Sequence, residues 1–139
     1  MIFNEEPGNL FDVDKKYYLV HCVSTDCALG AGIAVEFQKR FHLRDTLKHM
    51  NPVVGDALLV GHVFNLFTKK MCYNKPTYNS LKETLVGLKF SCEKNNIKYL
   101  AMPCIGCGLD RLNWKKVSEM IQEVFNDTDV EIIVCKNRR

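Results

Sequence analysis

The sequence predicts an α/β fold in which helices cover both faces of a central sheet. Short apolar runs rich in strand-forming residues alternate along the chain with longer runs whose apolar residues recur at helical spacing. In addition, 139 residues of which 47% are hydrophobic and 25% charged are enough to build the core of one domain of common size.

In the first half of the chain, the pattern predicts three strands and one helix. Tyr17–Cys22 is a short apolar run typical of a strand, and Ala31–His42 follows with apolar residues at helical spacing. Ala57–Val63 and Phe64–Thr68 are predicted as two further strands, with a turn or bulge at Gly61–His62.

The second half opens with a helix whose ends are marked by the residues around it. Thr77 can cap the first turn, Pro76 prevents an earlier start, and Asn95–Asn96 suits the end. Tyr99–Met102 is predicted as a strand. The remaining elements are a glycine-bearing loop at Pro103–Leu112, a helix capped by Asn113 and a buried closing strand at Val130–Cys135.

Composition and charge exclude several classes of protein. The chain is too hydrophobic, and its net charge of +3 too small, for a disordered protein. No uncharged stretch reaches the roughly 18–20 apolar residues that a membrane span needs. The pI near 8.4 permits a small anionic ligand without demanding nucleic acid. Residues 1–139 are therefore predicted to form a single domain that ends in a short basic tail at Lys136–Arg139.

Seven cysteines are the unusual feature of this composition. The chain opens with the acidic MIFNEEPGN, which lacks the pattern of a secretory signal, so we expect free thiols in a reducing compartment. Cys104 and Cys107 form a C-x-x-C pair, but glycines delay the helix that a thioredoxin-like site needs. Neither the cysteines nor the histidines have the spacing of a zinc site, so no metal is expected. Small buried side chains account best for the cysteines.

Three segments that could carry chemistry follow predicted strands, where open α/β sheets bind their ligands. The first is Ser24–Ile33 (STDCALGAGI), in which Gly30 and Gly32 flank Ala31 at the start of a helix. Glycines let the backbone approach a ligand closely, and the free N–H groups of a helix start attract phosphate. The alternative is a tight strand-to-helix turn without a ligand. The spacing matches neither the dinucleotide fingerprint nor a Walker loop.

The second segment is Pro103–Asp110 (PCIGCGLD). Gly106 and Gly108 free the backbone for a second phosphate cradle. Asp110 places a carboxylate beside that cradle, where phosphate would repel it, and this makes Asp110 a candidate base or water-positioning residue. The alternative is a solvent-exposed aspartate before a helix.

The third segment is Thr68–Lys70, at the end of a predicted strand. Alternation along the strand places Lys69 and Lys70 on opposite sides of its end. A lysine beside phosphate loops can bind charge, and in a suitable environment it can act as a nucleophile. From the residues alone, charge binding is the favoured interpretation.

Four motifs in order along the chain resemble the macro domains, and specifically the terminal ADP-ribose protein glycohydrolase branch. They are GNLF, HCVSTDCALGAGIA, FTKK followed by KPTY, and MPCIGCGLDRLNW. The resemblance extends from about Pro7 to Val134. It implies a three-layer α/β/α sandwich with a central mixed sheet, which binds ADP-ribose in a cleft at the crest of the sheet. It implies no cofactor.

The resemblance also implies a covalent mechanism. Lys69 would attack the anomeric carbon of the distal ribose, release the protein carboxylate and leave a lysyl–ADP-ribose adduct that Asp110 would help to resolve. This reverses the charge-binding interpretation of Lys69. The glycine segments would hold the diphosphate and the distal ribose. The implied ADP-ribose contacts are Asn9, Leu10, His21, Ser24, Gly30, Ala31, Gly32, Ile33, Thr68, Pro103, Ile105, Gly106, Cys107, Gly108 and Leu109.

Two residues depart from the family's pattern. Asn9 stands where the family usually has an aspartate that binds the adenine amino group. Its amide oxygen can accept the same hydrogen bond, but without the charge that strengthens such a bond. Cys104 stands where close relatives have a longer basic side chain. We therefore expect a weaker preference for adenine and a more open rim of the cleft.

The leading hypothesis is a hydrolase that removes mono-ADP-ribose from acidic side chains and also deacylates O-acyl-ADP-ribose. Its partners would be ADP-ribose and ADP-ribosylated proteins. One alternative is a reader module that binds ADP-ribose without cleaving it. Others are removal of ADP-ribose from nucleic acid and, more distantly, thiol redox chemistry. We expect an intracellular monomer in the cytoplasm, the nucleus or both, with no membrane partner.

Overall fold

The computed structural model describes residues 1–136, in which a six-stranded mixed sheet lies between two layers of helices. The strands are β1 (Ile2–Pro7), β2 (Tyr18–Ser24), β3 (Ala57–Val60), β4 (Val63–Lys69), β5 (Tyr99–Met102) and β6 (Glu131–Lys136). The helices are α1 (Ile33–Phe41), α2 (Arg44–His49), α3 (Tyr78–Asn95) and α4 (Trp114–Phe125), with a short 3-10 helix at Leu10–Asp12.

The strand order is β1-β6-β5-β2-β4-β3, and all neighbouring strands are parallel except β3 and β4. The five parallel strands therefore end at the same edge of the sheet, and the loops that follow them meet there. This arrangement confirms the three-layer α/β/α sandwich with a central mixed sheet.

The sheet separates two hydrophobic clusters. Helices α3 and α4 cover one face with side chains such as Leu85 and Ile121, and helices α1 and α2 cover the other with Phe37 and Leu47. These four side chains are fully buried, and burial of each contributes about 1.5–3 kcal/mol. Within residues 1–136, none of the helices combines the length and the hydropathy that crossing a membrane requires.

Every element predicted from the sequence is present, with ends shifted by at most three residues. The Thr77 hydroxyl caps α3 by accepting a hydrogen bond from the Ser80 N–H, and Asn113 caps α4. Gly61–His62 forms the two-residue turn between β3 and β4, with Gly61 at φ 58°. Local capping and turn chemistry therefore set these boundaries.

The sequence pattern misses β1 and α2. The segment IFNEEP of β1 is an edge strand with exposed, acidic residues, so it carries no apolar run. The six-residue α2 buries one side chain, Leu47. A single apolar position cannot show helical spacing. Lys136, which is predicted as the first residue of the basic tail, is the last residue of β6 and forms an ion pair with Glu5 at 2.6 Å. Residues 137–139 of the predicted tail lie outside the described residues.

Candidate active site

A cavity of about 750 Å³ opens at the edge of the sheet where β2, β4 and β5 end. It is lined by the β2–α1, β4–α3 and β5–α4 loops. Its volume lies within the range of about 300–1,000 Å³ that small-molecule sites occupy. Parallel strand order, rather than sequence proximity, brings the three loops together.

Most of the predicted contact residues lie in this cleft, including both glycine segments and the two candidate catalytic residues. Those that line it are Ser24, Gly30, Ala31, Gly32, Ile33, Lys69, Pro103, Ile105, Gly106, Gly108, Leu109 and Asp110.

An ion pair between Lys69 and Asp110 lies in the cleft, with Nζ 2.7 Å from Oδ1. Lys69 is the last residue of β4, and Asp110 lies in the β5–α4 loop. Their side chains are only 14% and 16% exposed. The Lys70 side chain is exposed and does not line the cleft, as the alternation predicts. A lysine must lose a proton before it can attack an electrophile, and Asp110 is an acceptor within hydrogen-bond distance.

Asp26 holds the β2–α1 loop in place. Its Oδ1 accepts hydrogen bonds from the Ser24 hydroxyl at 2.5 Å and the Ala28 N–H at 3.2 Å, and its Oδ2 accepts one from the Cys72 N–H at 2.8 Å. Burial alone would raise the pKa of Asp26, but these hydrogen bonds outweigh it and lower the pKa. The Arg44 guanidinium donates to the Ala28 carbonyl from Nε and Nη2. The loop is therefore tied both to α2 and to the β4–α3 loop.

The backbone of this loop adopts conformations that few residues tolerate. Cys27, Leu29 and Gly32 have φ values of 54°, 44° and 60°. Gly32 caps α1 without a side-chain hydrogen bond to the first turn, so the first N–H groups of the helix have no side-chain cap. Unpaired N–H groups at a helix start are an anion-binding site.

The β5–α4 loop is held mainly by apolar packing and backbone hydrogen bonds. Gly106 has φ 75°, and its carbonyl accepts a hydrogen bond from the Leu112 N–H at 2.7 Å. Ile105 and Leu112 are buried and anchor the loop on the α3–α4 side of the sheet. Leu109 and Gly108 are exposed between these anchors. The anchors thus present the middle of the loop to the cleft.

Five implied contact residues do not line the cleft. Asn9 lines a separate cavity of about 340 Å³, and its side-chain oxygen accepts a hydrogen bond from the Phe11 N–H at 2.9 Å. Leu10 and Thr68 are buried, and Cys107 lies on the β5–α4 loop outside the lining. Asn9 and Leu10 lie away from the Lys69–Asp110 pair, whereas Thr68 directly precedes Lys69 and Cys107 shares a loop with Asp110. The contact of these four residues with a ligand stays a prediction.

His21 is the fifth of these residues: its side chain is fully buried beneath α1, and its contact with a ligand stays a prediction. Its ring stacks on Phe37 with centroids 3.8 Å apart, and Nε2 lies 2.6 Å from Asn65 Oδ1. Since an amide oxygen only accepts, Nε2 carries the proton. Burial lowers the pKa of His21 to about 4, more than the hydrogen bond with Asn65 raises it. His21 supports the packing of α1 on the sheet.

The C-x-x-C cysteines have the properties of packed side chains. Burial raises the pKa of Cys107 to about 11 and also raises that of Cys104, so neither is a thiolate near neutral pH. All seven cysteines are free in the structure. Within the described residues, no group of three or more His, Cys, Asp or Glu side chains is placed to hold a metal ion.

The sequence pattern does not single out the β4–α3 loop, although residues 72–75 line the cleft. The position of this loop, directly after a parallel strand and before the cap at Thr77, is a signal that could have identified it. Arg111 and Asp26 are also missed, because their roles depend on contacts with other loops.

The fold and the cleft together define a three-layer α/β/α protein with a ligand site at the carboxyl edge of its sheet, between two glycine loops. A family model described as the Macro domain matches residues 20–121, and the chain belongs to this family.

The chain is similar to the ADP-ribose glycohydrolase OARD1 of Homo sapiens, with 44% identity over 131 residues, covering 91% of this chain and 86% of that protein. The Bos taurus protein of the same name matches with the same identity and coverage. Among solved structures, the macrodomain of Mycobacterium tuberculosis DarG superposes with a TM-score of 0.87 at 22% identity, covering 96% and 97% of the two chains. Thermosipho africanus DarTG in complex with ADP-ribose has a TM-score of 0.83 at 19% identity, covering 97% of this chain and 41% of that one. At these identities, the two structures show the fold.

Proposed function

We propose that this protein binds ADP-ribose and hydrolyses the bond between mono-ADP-ribose and an acidic side chain of a modified protein. The observation that carries the proposal is the Lys69–Asp110 ion pair, with its 2.7 Å contact, between two glycine loops in one cleft. The 44% identity to proteins named ADP-ribose glycohydrolase supports it.

The glycine loops bind the anionic part of the ligand. Diphosphate oxygens accept hydrogen bonds from the uncapped N–H groups at the start of α1 and from the backbone around Gly106 and Gly108. This leaves the distal ribose near Lys69 and Asp110 and fixes its anomeric carbon for reaction.

In the first step, Asp110 accepts a proton from Lys69 Nζ, and the free amine attacks the anomeric carbon. A C–N bond forms, the ester C–O bond breaks, and the protein carboxylate leaves as an anion with the bonding electron pair. The attacking atom and the proton acceptor are already in contact, so the step needs no large rearrangement of either side chain.

Asp110 releases the proton that it took from Lys69 to bulk water. In the second step, its carboxylate accepts a proton from the attacking water. The water attacks the same carbon, the C–N bond breaks, and Lys69 Nζ leaves as an amine that takes up a proton. The products are free ADP-ribose and the acceptor protein with its carboxylate side chain restored. O-acyl-ADP-ribose, which is itself a carboxylate ester of ADP-ribose, is a related substrate. We include its deacylation in the proposal.

Replacement of Lys69 tests the proposal. Lys69→Ala should abolish turnover of a glutamate-linked substrate, while isothermal titration still detects binding of ADP-ribose. Lys70→Ala is the matched control, because Lys70 is the exposed neighbour outside the cleft, and it should retain full activity. Full activity in Lys69→Ala would contradict the covalent mechanism.

Trapping the intermediate separates the hydrolase from a reader module. The sugar of the lysyl adduct can open to an imine between its first carbon and Nζ, and cyanoborohydride reduces that imine to a stable amine. Mass spectrometry should then locate ADP-ribose on Lys69 and not on Lys70. Binding of ADP-ribose without turnover or a trapped adduct would indicate a reader.

A further inference from the structure

Four side chains around the mouth of the cleft are not used by the proposed chemistry. Tyr73 and Lys75 come from the β4–α3 loop, and Leu109 and Arg111 come from the β5–α4 loop. Tyr73 is 78% exposed and Leu109 is 71% exposed. We call these four residues the rim. A large aromatic and a large aliphatic side chain exposed together at the mouth of a cleft are typical of a binding surface.

The polar groups of the rim are also unpaired. Within residues 1–136, the Tyr73 side chain has no hydrogen bond and no aromatic neighbour, and neither Lys75 nor Arg111 forms an ion pair. The only described carboxylate that lines the cleft is Asp110, and Lys69 neutralises it. The mouth of the cleft is therefore positively charged.

The rim lies next to the reacting groups in the same cleft. Asp110 stands between Leu109 and Arg111, and Tyr73 follows Lys69 by one short turn of the loop. In the proposed function, the diphosphate occupies the glycine loops, and Leu109 of the rim lies close to Gly32. An acceptor attached to the anomeric carbon beside Lys69 and Asp110 is therefore within reach of the rim.

We infer that the rim binds the acceptor polypeptide and makes the enzyme selective for ADP-ribosylated residues in acidic segments. This inference rests on the proposed function. Lys75 and Arg111 pair with carboxylates that flank the modified residue, and the Tyr73 ring packs against the peptide. A nucleic acid strand requires a longer track of cations and several stacking rings, whereas the rim offers two cations and one ring.

Three matched peptides, each with mono-ADP-ribose on one glutamate, test the inference. The flanking residues are acidic in the first, neutral amides in the second and basic in the third. We expect kcat/KM to be about tenfold higher for the acidic peptide than for the neutral one and lowest for the basic one. Rising salt should reduce the difference, because the rim is exposed.

Variants of the rim should change acceptor selectivity without changing the affinity for free ADP-ribose. The double variant Lys75→Gln/Arg111→Asn should equalise the three peptides; asparagine suits the φ of 60° at residue 111. Tyr73→Ala should lower kcat/KM about tenfold for every peptide. Phe90→Ala and Lys94→Gln are matched controls on α3, since Phe90 is 66% exposed and both residues lie outside the cleft. Thermal unfolding of each variant verifies that it folds.

The inference would be overturned by equal kcat/KM for the three peptides in the unmodified protein. It would also be overturned if Tyr73→Ala lost as much affinity for free ADP-ribose as it lost kcat/KM for the peptides. A third contrary result is that the rim variants lower kcat/KM more for an ADP-ribosylated oligonucleotide than for the peptides. Failure of the proposed function gives a different result, namely no turnover of any substrate. In that case, binding still tests the rim, because the acidic peptide should bind more tightly than free ADP-ribose. Tyr73→Ala and the double variant Lys75→Gln/Arg111→Asn should each reduce this difference in affinity.

Discussion

The two glycine loops of the cleft have the same role in the proposed function, diphosphate binding, but different contacts hold them in place. Each contains one glycine with a left-handed φ, 60° at Gly32 and 75° at Gly106. Each also contains one glycine, Gly30 or Gly108, that has no such φ and no close neighbour that a methyl group would strike. In both loops, one glycine is therefore required by the backbone, and the other leaves open space for a ligand.

The supports of the two loops differ in chemistry. A carboxylate and a guanidinium, Asp26 and Arg44, hold the β2–α1 loop by hydrogen bonds. Buried aliphatic side chains, chiefly Ile105 and Leu112, hold the β5–α4 loop. The difference shows that polar contacts and apolar packing can each fix the backbone path of a glycine loop. It also predicts that the loops respond to different perturbations.

The largest effect on stability is expected for Gly106→Ala. The new methyl group would lie 3.0 Å from Leu112 Cδ1, at a residue whose φ disfavours any side chain. We expect the free energy of unfolding to fall by about 2–3 kcal/mol. Urea unfolding measures it. A fall smaller than that of Gly32→Ala would contradict the comparison, because at Gly32 the nearest atom is 3.3 Å away on the exposed side chain of Leu109.

Asp26→Ala should break the polar support of the β2–α1 loop. The substitution leaves the N–H groups of Ala28 and Cys72 without their acceptor, so the free energy of unfolding should fall by about 2 kcal/mol. ADP-ribose binding, measured by titration calorimetry, should weaken as well, since two loops of the cleft lose their connection. Asp129→Ala is the control, because Asp129 forms only an exposed ion pair with Lys98, and its replacement should lower the free energy of unfolding much less than that of Asp26. If both variants lost the same free energy of unfolding, the hydrogen bonds of Asp26 would not be the main support of the β2–α1 loop.

Mild acid should weaken the α1 side of the sheet through His21. Because the pKa of His21 is about 4 in the folded protein and near 6.5 in the unfolded chain, only the unfolded chain takes up a proton between these values. Stability therefore falls as the pH drops below about 6.5, by about 1 kcal/mol between pH 7 and pH 5.5. Chemical unfolding at several pH values measures the slope. His21→Gln should flatten this slope, whereas the exposed control His62→Gln should retain it.

The smallest effects on stability are expected for Gly30→Ala and Gly108→Ala. Neither methyl group meets an atom closer than 3.8 Å, so the free energy of unfolding should change by less than about 0.5 kcal/mol. ADP-ribose binding should nevertheless weaken about tenfold, since the methyl group occupies space that the diphosphate approaches. Unchanged affinity in both variants would show that the ligand does not approach these glycines.

Much of the fold follows from local patterns in the sequence. Residues a few positions apart cap α3 at Thr77, end it at Asn96 and form the turn at Gly61–His62. The edge strand β1 could not be predicted in this way, because its order comes from pairing with β6, which lies more than a hundred residues away. Five of its six residues are exposed, and its middle residues Asn4, Glu5 and Glu6 are polar.

The candidate site divides in the same way. The sequence alone indicates the glycine loops, the lysine at the end of β4 and the aspartate of the β5–α4 loop. Only the tertiary structure pairs Lys69 with Asp110, ties Asp26 to the β4–α3 loop, places Tyr73 at the rim and buries His21. The physical reason is range: caps, turns and periodicity act within a few residues, whereas these contacts depend on which strands become neighbours and in which register.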